Sequence, residues 1–201
     1  FIIILSPSGA YYSHGFAPVA LKVEREYVRA SKGGTGAYKV VGNYAASIKA
    51  GELAVRDGYD QVLWLDGGER KYVEEVGSMN IFFVLDGKVV TPALNGTILP
   101  GITRDSCIKL LKAKGIPVEE RRVDIAEVLD GAKSGALTEI FGTGTAAVIS
   151  PVDRLGDAGV DYTIGVRGKA GAIAGMLFDT LTGIQTGVIP DEFGWVVKVG
   201  K

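Results

Sequence analysis

Short hydrophobic runs alternate with polar and glycine-containing segments along the chain, and they predict a mixed series of strands and helices. Continuous or strictly alternating apolar residues predict strands, whereas apolar residues spaced three or four apart predict helices. The predicted strands lie at 21–24, 62–65, 81–85, 89–91, 138–141, 148–152 and 195–199. The predicted helices lie at 43–57, 101–114 and 170–181, and another begins at 124. This mixture predicts an α/β fold with a mixed sheet.

Turn and cap residues fall between these predicted elements. Asp86-Gly87 separates two apolar runs and predicts a hairpin, because this dipeptide suits the positive φ angles of a tight turn. Gly58 and Gly115 are predicted to end two of the helices. Asp124, followed three residues later by Glu127, is typical of a capped helix start.

The first residues of the chain are a continuous apolar run, Phe1-Ile2-Ile3-Ile4-Leu5, which predicts a strand in the interior of a sheet. Its sheet partners are not evident in the sequence, so we expect the chain to begin inside a larger protein. We predict that residues 1–12 end a preceding domain, that residues 13–19, which include Gly15 and Pro18, form a linker, and that residues 20–201 form a large domain. The only histidine, His14, is predicted to be a loop residue rather than a ligand or a base.

Composition narrows the class of protein. A hydrophobic fraction of 47% with mixed charge is typical of a globular protein, and a net charge of −1 provides no field that would attract nucleic acid or a membrane surface. The longest apolar runs fall far short of the ~20 residues that a membrane span needs. Cys107 is the only cysteine, so the chain forms no internal disulfide, and a reducing, cytoplasmic compartment is predicted. We predict no metal site.

The strongest candidate for chemistry is a glycine-rich segment, Gly33-Gly34-Thr35-Gly36-Ala37-Tyr38-Lys39, which is followed by Gly42-Asn43-Tyr44. Its glycines allow a tight turn that would restrict Lys39, and a restricted amine suits covalent bonding to a carbonyl once its ammonium form loses a proton. The simpler interpretation is a loop with a solvated lysine. A nucleotide-binding Walker loop does not fit, because Tyr38 stands where that pattern needs glycine.

Four motifs together resemble the branched-chain amino acid aminotransferases, a group of fold-type IV pyridoxal-phosphate enzymes. They are the lysine segment, Glu75-Val76-Gly77-Ser78-Met79-Asn80, Pro100-Gly101-Ile102-Thr103 and Gly142-Thr143-Gly144-Thr145-Ala146-Ala147, and they occur in the order of that family. The resemblance implies the large C-terminal domain of that fold, a mixed sheet or pseudo-barrel flanked by helices. It also implies that residues 1–12 are the last strand of a small N-terminal α+β domain. One departure is Val41, where the family usually has glycine, so an ordinary turn without positive φ is expected there.

The resemblance implies roles around the ring of pyridoxal 5′-phosphate. The matching lysine binds the cofactor covalently, which makes Lys39 the implied catalytic and cofactor-binding residue. Tyr44 matches a tyrosine that contacts the phenolic oxygen of the cofactor and lies beside the substrate. Glu75 matches the glutamate that pairs with the ring nitrogen, and its neighbour Glu74 is the alternative if the register is displaced by one.

Further matches concern the phosphate and the substrate. The resemblance implies that the amides of Ile102 and Thr103, with the hydroxyl and amide of Thr145, bind the phosphate. A helix amino terminus supplies free amides and a positive dipole end, which agrees with this role. Ser78 and the amide of Ala146 match positions that bind the substrate carboxylate.

The implied activity is the transamination of L-leucine, L-isoleucine and L-valine with 2-oxoglutarate, in a homodimer or a larger homo-oligomer. The expected partners are small amino acids and 2-oxo acids, with neither nucleic acid nor a membrane. D-amino acid aminotransferase and aminodeoxychorismate lyase share the fold and are alternatives, and a non-catalytic pyridoxal-phosphate-binding protein is another. In this family the small N-terminal domain supplies an arginine to the phosphate and part of the apolar substrate pocket, so we expect those groups outside residues 1–201.

Overall fold

The computed structural model describes residues 1–7 and 15–199, and in this part of the chain strands and helices are interspersed. The strands are β1 Val19–Glu24, β2 Gln61–Leu65, β3 Val73–Val76, β4 Met79–Leu85, β5 Lys88–Pro92, β6 Val118–Arg121, β7 Leu137–Gly144, β8 Val148–Asp157 and β9 Val160–Thr163. The helices are α1 Val41–Arg56, α2 Ile102–Ala113, α3 Ile125–Ser134 and α4 Ala172–Thr186. No helix in the described ranges is long and apolar enough to cross a membrane.

Six of the strands close into a barrel in the order β1-β2-β3-β4-β7-β8, with β8 paired to β1. The pairs that involve β1 are parallel and the other barrel pairs are antiparallel. Strands β5 and β6 extend the sheet from the end of β4, and β9 pairs with β8. The predicted α/β class with a mixed sheet forming a pseudo-barrel is confirmed.

Both faces of the central strand β4 are buried, which explains its continuous apolar sequence. Ile81 and Phe83 pack into one hydrophobic cluster with residues of α3, whereas Phe82 and Val84 pack into a second cluster with residues of α2 and α4. Successive side chains of a strand point to opposite faces, so a strand between two layers needs apolar residues at every position. Helices α2 and α4 therefore pack against the outer face of β4, whereas α3 packs against the cluster that the barrel strands share on their inner face.

The predicted turn and cap chemistry is confirmed at the hairpin and at α3. Asp86 and Gly87 both have positive φ, 48° and 75°, as the two-residue turn between β4 and β5 requires. Asp124 accepts a hydrogen bond from the amide of Ala126, so it caps α3 as predicted. Glu127 does not complete a capping box, because its carboxylate bonds the guanidinium of Arg121 instead.

Two predicted strands are not present in the described residues. Residues 195–199 form no strand, so that prediction is wrong, and their valines are exposed without a strand beside them. Residues 1–7 also form no strand, and the side chains of Phe1–Leu5 are exposed. An apolar run becomes a strand only when a neighbouring strand pairs with its backbone groups.

The domain boundaries stay a prediction. Strand β1 begins at Val19, the last residue of the predicted linker. His14 and residues 8–12 lie outside the described residues.

Candidate active site

The loop that carries Lys39 is fastened to the first turn of α1 by one side chain. Asn43 donates through Nδ2 to the carbonyl oxygens of Thr35 and Tyr38, both at 2.8 Å, and its Oδ1 accepts from the Thr35 hydroxyl at 2.8 Å. Because Lys39 lies between Tyr38 and Asn43, which one of these hydrogen bonds joins, its backbone is held at the start of the helix. Val41 has no positive φ, which agrees with the ordinary turn expected there.

Two glycines of this loop are explained by geometry. Gly33 has a φ of 82°, in the region that only glycine adopts readily. Gly36 is buried, and any side chain there would overlap the carbonyl oxygen of Thr97 and the side chain of Ala30. The close approach at Gly36 presses the lysine loop against the segment that precedes α2.

The side chain of Lys39 contacts the side chain of Tyr44. The Nζ atom donates to the phenolic oxygen of Tyr44 at 2.7 Å and lies 5.1 Å from the centre of the tyrosine ring. Both residues are exposed in this chain. The contact fixes the direction of the amine relative to α1.

A cavity of about 250 Å³ brings most of the predicted site residues together. Six of them line it, namely Lys39, Glu75, Ser78, Ile102, Thr103 and Thr145. Tyr44 lines an adjoining cleft that shares Glu75 and Ser78 with the cavity. Ala146 follows Thr145 in the exposed turn between β7 and β8, beside the cavity wall.

The carboxylate of Glu75 is buried at the wall between the cavity and the cleft, with 4% of the residue exposed. One oxygen accepts a hydrogen bond from the amide of Leu99 at 2.8 Å, and the other lies 3.5 Å from Nε of Arg29. Burial raises the pKa of Glu75 to about 7, although the charge of Arg29 and the Leu99 amide act to lower it. A positive charge in the cavity would therefore lower this pKa and favour the ionised carboxylate.

Its neighbour Glu74 is also buried, but it is engaged elsewhere. One oxygen of Glu74 accepts from the hydroxyl of Thr97 and, at 3.3 Å, from Nδ2 of the Asn95 side chain. Its other oxygen lies 4.0 Å from the Arg29 guanidinium. Adjacent residues of a strand face opposite sides, so only one of the two glutamates lines the cavity. That residue is Glu75, as the register of the motif predicted.

Sequence reasoning missed Arg29. This arginine is 7% exposed, donates to the carbonyl oxygen of Thr97 and lies beside both buried glutamates. A buried guanidinium needs carboxylate or carbonyl partners, so its position is set by that requirement. The only signal in the sequence was a charge within the segment Tyr27-Val28-Arg29-Ala30, and nothing there indicated the partners.

The opposite part of the wall is the amino terminus of α2. Gly101 is the N-cap and has no side chain to bond the first amides of the helix, which leaves these amides available to a ligand. Thr143 and Thr145 line the same cavity, and the buried hydroxyl of Thr143 has no hydrogen-bond partner within the described ranges. Free amides, the positive helix end and hydroxyl groups form a site for an anion.

These residues fit a phosphorylated aldehyde cofactor. An amine, a buried carboxylate and an anion-binding helix end surround one cavity, and a pyridoxal cofactor needs an amine, an acid at its ring nitrogen and donors at its phosphate. Among residues 1–7 and 15–199 no cluster of three or more His, Cys, Asp or Glu side chains is placed to bind a metal ion.

A closed mixed barrel with these groups around one cavity corresponds to the large domain of fold-type IV pyridoxal-phosphate proteins. The sequence model of the family described as Amino-transferase class IV matches residues 6–155. The chain belongs to this family.

Known relatives agree with this assignment. The chain is 57% identical over 199 residues to branched-chain-amino-acid aminotransferase 2 of Bacillus subtilis (strain 168), covering 98% of this chain and 54% of the relative. The branched-chain amino acid aminotransferase of Escherichia coli has a TM-score of 0.78 at 32% identity, over 94% of this chain and 59% of that one. The chain thus spans about half the length of the curated relatives it matches.

A third match was solved with a ligand. The branched-chain amino acid aminotransferase from T.th., complexed with N-(5′-phosphopyridoxyl)-L-glutamate, has a TM-score of 0.73 at 33% identity, over 89% of this chain and 55% of that one. The ligand of that protein joins a phosphorylated pyridoxyl group to an amino acid.

Proposed function

We propose that this protein transfers amino groups from L-leucine, L-isoleucine and L-valine to 2-oxoglutarate, with pyridoxal 5′-phosphate as cofactor. The observation that carries the proposal is the convergence of Lys39, Glu75 and the amino terminus of α2 on one cavity. The names of relatives at 50% to 58% identity support the substrate class.

Lys39 is proposed to hold the cofactor and to move the proton. When bound, pyridoxal phosphate supplies an aldehyde for the amino group of the substrate and a cationic ring that withdraws electrons from the substrate Cα. The amine of Lys39 would lie where it can take the proton from the substrate Cα and return it to the cofactor. The phenolic oxygen of Tyr44, 2.7 Å from Nζ, keeps the amine directed toward that position.

Glu75 is proposed to hold a proton on the ring nitrogen. A carboxylate there stabilises the cationic ring, and the cation in turn favours the ionised carboxylate. Arg29, 3.5 Å from the glutamate, supports the same ionised state from the other side. The cationic ring and Arg29 together keep the buried carboxyl group of Glu75 ionised.

The remaining residues are proposed to bind the two anionic groups. The amides of Ile102 and Thr103 and the hydroxyl of Thr145 bind the phosphate of the cofactor, at the positive end of α2. Ser78 and the amide of Ala146 bind the substrate carboxylate, so that Cα lies beside Lys39.

We also propose a cytoplasmic homodimer or larger homo-oligomer. The single cysteine of the sequence, Cys107, is buried and free, and this supports the reducing compartment of the proposal.

Borohydride reduction of the protein with bound pyridoxal phosphate, followed by peptide mapping, tests the assignment of the lysine. The cofactor should be found on Lys39. Recovery on Lys32 or Lys49, which lie on either side in the sequence, would refute the assignment.

A further inference from the structure

Asn80 connects the two ends of the proposed cofactor site. It is directly opposite Glu75 on the paired strands β3 and β4 and directly opposite Thr143 on β4 and β7. Side chains at opposed positions lie on the same face of a sheet. Glu75, Asn80 and Thr143 therefore form a row that lines the cavity.

Asn80 and Glu75 together hold the backbone of one residue, Leu99, in the segment before α2. Asn80 is 5% exposed, and its Nδ2 donates to the carbonyl oxygen of Leu99 at 2.8 Å. The amide of the same residue, Leu99, donates to Glu75 at 2.8 Å. Movement of Leu99 would thus alter the hydrogen bonding of Glu75.

The same side chain also fixes the start of α2. The Oδ1 atom of Asn80 lies where a Cβ atom of Gly101 would be. Gly101 has φ −67° and ψ 136°, a conformation open to every residue, so the backbone itself does not require glycine there. The glycine is explained by the carboxamide of Asn80 packed against it, two residues beyond Leu99 and immediately before Ile102.

We propose that Asn80 is a positioning residue that braces the segment from Leu99 to Gly101. Through this segment it sets both the Glu75 carboxylate and the direction of the first amides of α2. The inference rests on the proposed cofactor for its functional meaning, but the brace itself is a property of the protein alone. Loss of Asn80 should therefore affect the ring end and the phosphate end together, although these two ends bind different chemical groups.

The first test uses the full-length protein without cofactor. In Asn80→Ala, hydrogen exchange at the amide of Leu99, which donates to Glu75, should quicken about three- to tenfold relative to buried strand amides, as expected for one lost hydrogen bond. The matched control is Thr91→Val, which removes a buried hydroxyl that donates to the carbonyl oxygen of Ile81 at 2.7 Å. Unchanged exchange at Leu99 in Asn80→Ala, or the same change in Thr91→Val, would overturn the proposal.

The second test separates the two ends with two probes, pyridoxal for the ring and inorganic phosphate for α2. Asn80→Ala should weaken the binding of both by about three- to tenfold. Weakening of only one probe would show that the two ends are not coupled through Asn80. Gly101→Ala would displace the carboxamide of Asn80 and should also weaken the binding of both probes. This variant replaces Asn80→Ala in the test if Asn80→Ala does not fold.

These tests distinguish the brace from the proposed function. If the wild-type protein bound no pyridoxal phosphate, the cofactor proposal would fail, while the exchange experiment would still decide whether Asn80 holds the segment.

Discussion

Replacing Glu75 by glutamine should remove a large part of the pH dependence of stability in the cofactor-free protein. Burial raises the pKa of Glu75 from its ordinary value of 4.5 to about 7 in the folded state. Between these values the folded protein keeps a proton that the unfolded chain releases. The free energy of unfolding therefore falls as the pH rises through this window.

The size of the effect follows from the two pKa values. A rise from 4.5 to about 7 corresponds to about 3 kcal/mol, at about 1.4 kcal/mol for each tenfold change in the acid dissociation constant. Glutamine does not titrate, so in Glu75→Gln this contribution disappears. A constant offset from the lost contact between Arg29 and the Glu75 carboxylate does not matter, because only the change with pH is compared.

Urea unfolding at a series of pH values from about 4.5 to about 8 measures the difference. The stability of the wild-type protein relative to Glu75→Gln should fall by about 3 kcal/mol across this range. Glu74→Gln is the matched control, since it leaves the Glu75 carboxyl in place and should keep most of the slope. Parallel pH profiles for wild type and Glu75→Gln would refute the account of this carboxyl.

Two further predictions concern packing and reactivity. Gly36→Ala should destabilise the protein by about 1–3 kcal/mol because its methyl group would overlap the Thr97 carbonyl, whereas Gly51→Ala, in open space on α1, should be neutral or stabilising by up to about 1 kcal/mol. Equal effects in thermal unfolding would contradict the close approach at Gly36. Burial raises the pKa of Cys107 to about 12, so this thiol should not react with a disulfide reagent at about pH 8 until urea unfolds the protein. Rapid reaction of the native protein would show that the thiol is accessible.

Much of the fold was predictable because its local signals agree with the tertiary structure. The hairpin at Asp86-Gly87 and the cap at Asp124 are decided by backbone and hydrogen-bond chemistry within a few residues. Strand β4 is apolar at every position because both of its faces are covered.

The incorrect strand predictions concern segments whose structure depends on pairing with distant parts of the chain. Residues 195–199 have the apolar pattern of a strand, but no strand within residues 1–7 and 15–199 pairs with them. Strands β3, β6 and β9 were missed because charged or polar residues interrupt their short sequences, Val-Glu-Glu-Val, Val-Glu-Glu-Arg and Val-Asp-Tyr-Thr. Strands β6 and β9 lie at the periphery of the sheet, whereas β3 is a buried strand of the barrel. In each case, the presence or absence of a paired neighbouring strand determines whether the segment forms a strand.

The candidate site divides in the same way. Lys39, Glu75 and the start of α2 were predicted from short motifs, and the structure places them around one cavity. The roles of Arg29 and Asn80 depend on contacts with residues far away in the sequence. Arg29 lies beside Glu75, and Asn80 donates to Leu99. No local pattern indicates those contacts.

The most direct test of the proposed function is a single-turnover experiment on the full-length protein loaded with pyridoxal phosphate. L-leucine, L-isoleucine and L-valine should each change the visible absorption of the cofactor and release one equivalent of 2-oxo acid. Addition of 2-oxoglutarate should restore the spectrum and form L-glutamate. A response to D-alanine alone, or no response to any of the three branched-chain amino acids, would contradict the proposal.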